Sequence, residues 1–314
     1  MRFTSAPLIR GVIAAIGVAM CLAPSAASST APGENAACPP AGWNVDSLSK
    51  LREAKFEVTD PSARDQLALN LMPCLASPDP VLRDQITFEA YSRWLRSEQL
   101  SSAARRTILA SELEILNSER DESGFARPFA ALALSELARA DARKAFMSQA
   151  QRDQLVSSAT HYVASVSDYR GFHLTEGWRH GVAHGADLLM QLARHPGVTK
   201  VQLDGILQAV AAQVAPASGH FYVYGEPARL VRPVIFVAAR GLHAEDAWRA
   251  WLERIAAPAP FATWAEAYGN QRGLAKIHNT RAFLQALYVA TRESDNPHLQ
   301  RLLPALTRGM ASID

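Results

Sequence analysis

Long apolar runs, strand-like alternation, clustered basic residues and cysteines are all scarce in this 314-residue chain. The longest apolar run, residues 11–23, is too short for the roughly 20 residues that a bilayer-spanning helix needs. Almost no segment alternates with period two, which argues against a sheet-based fold; the aromatic run "HFYVYGE" at 220–226 is β-prone but too short to imply one. Lysine and arginine never cluster. The sequence-independent counterion release that drives nucleic-acid binding therefore has no basis here, and nucleic acid is excluded as a partner.

What is present is an ordinary globular composition, 48% hydrophobic and 20% charged. The N-terminus places Arg2 and Arg10 before the apolar run, with small residues around Ser25 and Ala27 after it. This is the pattern of a secretory signal peptide over residues 1–27, and it predicts a periplasmic or secreted protein with no membrane anchor after cleavage. Loss of that segment removes two arginines and no acidic residue, leaving 30 basic and 30 acidic side chains. It also removes Cys21. The two cysteines left, Cys38 and Cys74, are expected to pair in an oxidising compartment and to tie a linker over residues 28–45 to the first helices.

From residue 46 onward the hydrophobic period is 3.6, as in "DQLALNLMPCL", "SAARRTILASELEIL" and "PFAALALSELARA". Proline- and glycine-containing breaks at 77–80, 121–124, 168–171, 195–197, 215–219 and 257–260 punctuate the helices. The expectation is one all-α domain over 46–314, arranged as an irregular α-solenoid or α/α superhelix of HEAT-like hairpins.

The chemistry-bearing residues concentrate in "DYRGFHLTEGWRHGVAHGADLLMQL", residues 168–192. Thr175 is the expected N-cap of a helix ending near Arg194 before "HPG". On that helix His180, His184, Asp187 and Gln191 fall in a stripe about 60° wide. Val182, Ala186, Leu189 and Ala193 lie opposite, so the histidines are expected to face a surface or cleft. Gly181 and Gly185 sacrifice about 1 kcal/mol each of helix propensity, as they would where a backbone or ligand approaches closely.

His at i and i+4 with Asp at i+7 can present three ligands, His180, His184 and Asp187, to a divalent ion such as Zn²⁺. A hydrogen-bonded polar network fits the same spacing. Other residues have plainer readings. Ser218, His220 and Glu226 lack the strand-turn-helix elbow of a serine nucleophile. Trp248, Trp251 and Trp264 read as core, and Asn270, His278, Asn279 and Arg281 as a polar helix start.

The segments "SPDPVLRDQI", "FARPFAALAL", "DYRGF", "GWRHGVAHGADLL" and "YGEPARLV" together resemble the bacterial family called domain of unknown function 2785, over roughly residues 70–255. The resemblance implies an all-helical, HEAT-like fold, from which this chain departs in carrying a C-terminal helical extension over residues 256–314. It places the family's polar motif groups on Arg83, Asp84, Arg127, Asp168, Arg170, Trp178, His180, His184, Asp187, Glu226 and Arg229. It implies no reaction. Two functions then compete: binding of a small molecule or protein in a polar groove, and metal-dependent hydrolysis with Glu226 as a base.

Overall fold

The computed structural model describes residues 37–313, so the expected signal peptide at 1–27 and half of the linker, residues 28–36, lie outside the described residues. Helix boundaries follow capping chemistry. Asn44 caps α1 (Val45–Glu53) and Asp60, followed by Pro61, caps α2 (Pro61–Leu71). A 3₁₀ turn, Met72–Ala76, leads to a π-helical stretch, Val81–Phe88, which continues into α3 (Glu89–Arg96). Ser101 opens α4 (Ser102–Asn117), and α5 (Ala126–Arg143) follows. Reciprocal capping boxes start α6 (Gln149–Ser165) at Ser148/Gln151 and α8 (Lys200–Val214) at Thr199/Gln202.

Between them lies α7 (Gly181–Arg194). Next come α9 (Glu226–Ala239), α10 (Glu245–Ile255), the short α11 (Trp264–Ala267), the long α12 (Gln271–Arg292), α13 (Pro297–Gln300) and α14 (Leu303–Ala311). Among the described residues no helix is long and apolar enough to cross a membrane.

The protein is all-α, and its helices pack with alternate neighbours. α3, α5, α7, α9 and α12 lie side by side in one layer, and α2, α4, α6 and α8 in another. One hydrophobic core runs from Leu48 to Ile313, with Trp248, Trp251 and Phe283 inside it. The C-terminal segment shares that core, since α12 packs on α9 and α14 on α10. Cys38 is bonded to Cys74 across 36 positions and so holds the N-terminal end of the described chain to the 3₁₀ turn.

The sequence misplaces the start of α7. Thr175 caps no helix; it sits in the turn of a two-stranded antiparallel hairpin, β1 (Phe172–His173) with β2 (Gly177–Trp178). Gly177 at φ +72° lets the chain reverse there. Past β2 the amides of Arg179 and His180 donate to the carbonyls of Gly171 and Arg170. Those amides are committed to a ladder, so the helix begins only at Gly181.

Candidate functional site

The hairpin is fastened by two arginines. Arg83, fully buried, stacks its guanidinium over Phe125 (4.1 Å) and Phe129 (4.8 Å). It donates to the Ser77 carbonyl, to Asp84 Oδ2 and, across 93 positions, to the Glu176 carbonyl, each at 2.7 Å. Burial pulls the Arg83 pKa down, against the attraction of Asp84. Arg179 covers the Phe125 ring at 4.2 Å and donates from Nε to the Ser123 carbonyl. These four aromatic and cationic groups join the 77–80 turn, the start of α5 and the hairpin into one platform.

On that platform His180 adopts a left-handed conformation, φ 53° and ψ 42°, as the N-cap of α7. A non-glycine residue there costs about 1–2 kcal/mol, and such strain persists only where the surroundings enforce it. Here the Trp178 ring stacks on the imidazole (4.8 Å, 22°), and the His180 amide is bonded to Arg170. The expected cleft-facing stripe is therefore altered. His180 and His184 are each only 8% exposed, because α7 is flanked by α5, α6 and α9.

The two imidazoles lie with centroids 5.9 Å apart, and Phe129 meets His184 edge-on at 5.0 Å. Burial depresses His180 to about 4, with the positive charge of Arg229 adding to it, against a hydrogen bond at the Tyr224 backbone. Burial likewise drives His184 to about 3, assisted by the charges of His180 and Arg229 and opposed by a hydrogen bond at the Pro128 backbone. Both rings are neutral at pH 7. His180 Nε2 and His184 Nδ1 are buried ring nitrogens without a hydrogen-bond partner.

Glu226 closes the group from the first turn of α9, where the helix dipole favours a carboxylate. It is 3% exposed; Oε2 accepts from the Tyr224 amide at 2.9 Å, and Oε1 stands 3.8 Å from His180 Nε2, beyond hydrogen-bond reach. Asp187 does not join the histidines as a third ligand. Its carboxylate is bound by Arg229 and by Arg232 Nη1 (3.2 Å). Among the described residues no group of three or more His, Cys, Asp or Glu side chains is arranged to hold a metal ion.

Arg127, Asp168 and Arg170 stand apart from this group. Arg127 and Asp168 line a neighbouring cavity of about 190 Å³ together with Asp121, Gly124, Tyr162 and Gly181, and Arg170 lies against Gly124. Asp168 accepts from the Arg170 amide and side chain, fixing the turn before the hairpin. Arg127 donates to the Leu116 carbonyl and covers the Tyr162 ring. The sequence reading missed Phe172 and Tyr224, which pack around Trp178 at 5.1 and 5.6 Å. Tyr224 lies in the one aromatic run, whose β-like appearance drew attention to secondary structure rather than to its rings.

An all-helical layered protein with a strained histidine beside a buried carboxylate is the class that fold and site define. The family model for a protein of unknown function (DUF2785) matches residues 113–289, and the chain belongs to that family. The match begins after the "SPDPVLRDQI" segment, so Arg83 and Asp84 fall outside it, and it extends past 255 through most of α12. That reach agrees with α12 packing on α9 in the same layer. A crystal structure of an engineered protein is similar at 14% identity and a TM-score of 0.41, covering 84% of this chain and 90% of that one. No curated protein matches.

Proposed function

We propose that this protein is an exported α-solenoid of HEAT-like hairpins that binds a small molecule at the His180–His184–Glu226 group. Export is supported by the N-terminal sequence pattern and by the Cys38–Cys74 bond, which belongs to an oxidising compartment. A solenoid is supported by helices that pack with their second neighbours in two layers. Binding rests on one observation: His180 Nε2 and His184 Nδ1 are buried ring nitrogens without partners, beside Glu226. An unsatisfied buried polar atom costs about 1–3 kcal/mol, and two adjacent ones are retained where a ligand satisfies them. The hydrolase reading loses its metal ligand set, since two guanidinium groups occupy Asp187.

The test is thermal-shift screening of a small-molecule library against the exported protein and its Trp178→Ala variant. At least one compound raises the melting temperature of the wild type and not of the variant. Compounds that stabilise both equally, or none that stabilises either, refute the site.

A further inference from the structure

We infer that the ligand is a neutral polyhydroxylated molecule, a sugar ring or the end of a glycan; this rests on the binding reading above and specifies its chemistry. The floor of the site holds unpartnered polar atoms: His180 Nε2 and His184 Nδ1 have no hydrogen-bond partner, and Glu226 Oε1 stands 3.8 Å from the first. All three side chains are more than nine-tenths buried. An anion would share the floor with the Glu226 carboxylate, which repels it. A cation meets the guanidinium charges of Arg229 and Arg83, both close enough to act on the His184 ring, and these disfavour a second positive charge. What remains is a neutral group, and adjacent ring hydroxyls, which both donate and accept, can each bond one of His180 Nε2 and Glu226 Oε1.

The rim supplies the second half of the recognition. Three aromatic residues bordering the histidines are partly open to solvent: Phe172 (46% exposed), Tyr224 (39%) and Trp178 (36%). They hold one another at ring distances of 5.1 and 5.6 Å, and Trp178 stacks directly on His180. Leu174 at the hairpin tip and Val223 beside Tyr224 are also exposed. Large aromatic rings left in water beside a buried polar group suit a ligand with an apolar face and polar edges. A pyranose has both, its C–H face for the rings and its hydroxyls for the polar floor.

The experiment uses full-length exported protein in three forms: wild type, Trp178→Ala and Glu226→Gln. Each is titrated with neutral cello-, malto-, xylo- and chito-oligosaccharides, followed by tryptophan fluorescence and calorimetry. At least one series binds the wild type, with little dependence on salt because no ion pair forms. Trp178→Ala weakens that binding at least tenfold, and Phe172→Ala, on the exposed hairpin, weakens it as well if Trp178→Ala fails to fold. Glu226→Gln weakens it at least tenfold while leaving the stacking-dependent fluorescence of Trp178 in place. Parallel titrations use Zn²⁺, inorganic phosphate and a primary alkylamine. Binding of one of these, lost in Trp178→Ala or Glu226→Gln, with no saccharide binding, overturns the neutral-sugar class and leaves the site standing. No probe binding at all, together with no hit in the library screen, overturns both.

Discussion

Changing Gly185 to alanine sets two calculable effects against each other. In an isolated helix the substitution would stabilise by about 1 kcal/mol, since glycine is the weaker helix former. In α7, however, the new Cβ would lie 2.6 Å from Val163 Cγ2 and 3.1 Å from Tyr162 Cε1. Both neighbours are buried on α6, and a helical valine has essentially one rotamer, so Val163 cannot turn away. Carbon atoms rest at about 3.5–4.0 Å, so α6 and α7 must separate by about 1 Å. Overpacking of that kind costs about 1–3 kcal/mol. The net expectation is a loss of up to about 2 kcal/mol, with a melting temperature lower by about 2–4 °C for each kcal/mol. Urea denaturation of Gly185→Ala, Val163→Ala and the double variant measures it. The double variant should recover at least about 1 kcal/mol relative to additivity, because the added methyl occupies the space Val163 vacates. A Gly185→Ala protein more stable than the wild type, or strictly additive changes, would refute the close α6–α7 approach.

Reduction of Cys38–Cys74 should destabilise by about 4 kcal/mol, the chain-entropy value for a loop of 36 residues, and native exported protein should show no free thiol by mass spectrometry; two alkylatable thiols would contradict this. Both carboxylate oxygens of fully buried Glu112 lack partners, and burial raises its pKa to about 8, so its stabilising proton is fully held below about pH 4.5 and is lost as pH rises through 8. Glu112→Gln should then exceed the wild type by about 1–3 kcal/mol at pH 7–8, with the difference vanishing near pH 4; equal stability at both pH values would count against it. His180, depressed to about 4, acts in the opposite direction: its contribution is whole above about pH 6.5 and is lost as pH falls through 4. Melting curves of His180→Gln should be flatter than those of the wild type between those limits, and coincident profiles would exclude a buried neutral imidazole. N-terminal sequencing of exported protein should begin near Ser28, and a sequence starting at Met1 would remove the signal peptide.

Much of the architecture was legible residue by residue. The 3.6 period and the proline breaks are local features, and helices are built from local bonds, so the all-α class followed directly. The cysteine pair was readable because only two of the three cysteines lie beyond the N-terminal apolar run. The histidine stripe was drawn on a helix beginning at Thr175, and there the local argument failed. Whether the amides of Arg179 and His180 turn into a helix or pair with Gly171 and Arg170 depends on the hairpin, and the hairpin depends on Arg83, some ninety residues away in sequence. Asp187 is three residues from His184 and looked like its partner, yet α9 brings Arg229 and Arg232 to it and delivers Glu226 to His180 instead. Helix periodicity reports which residues share a face. Which charges and rings meet that face is a property of packing between distant segments, and no single-helix pattern contains it.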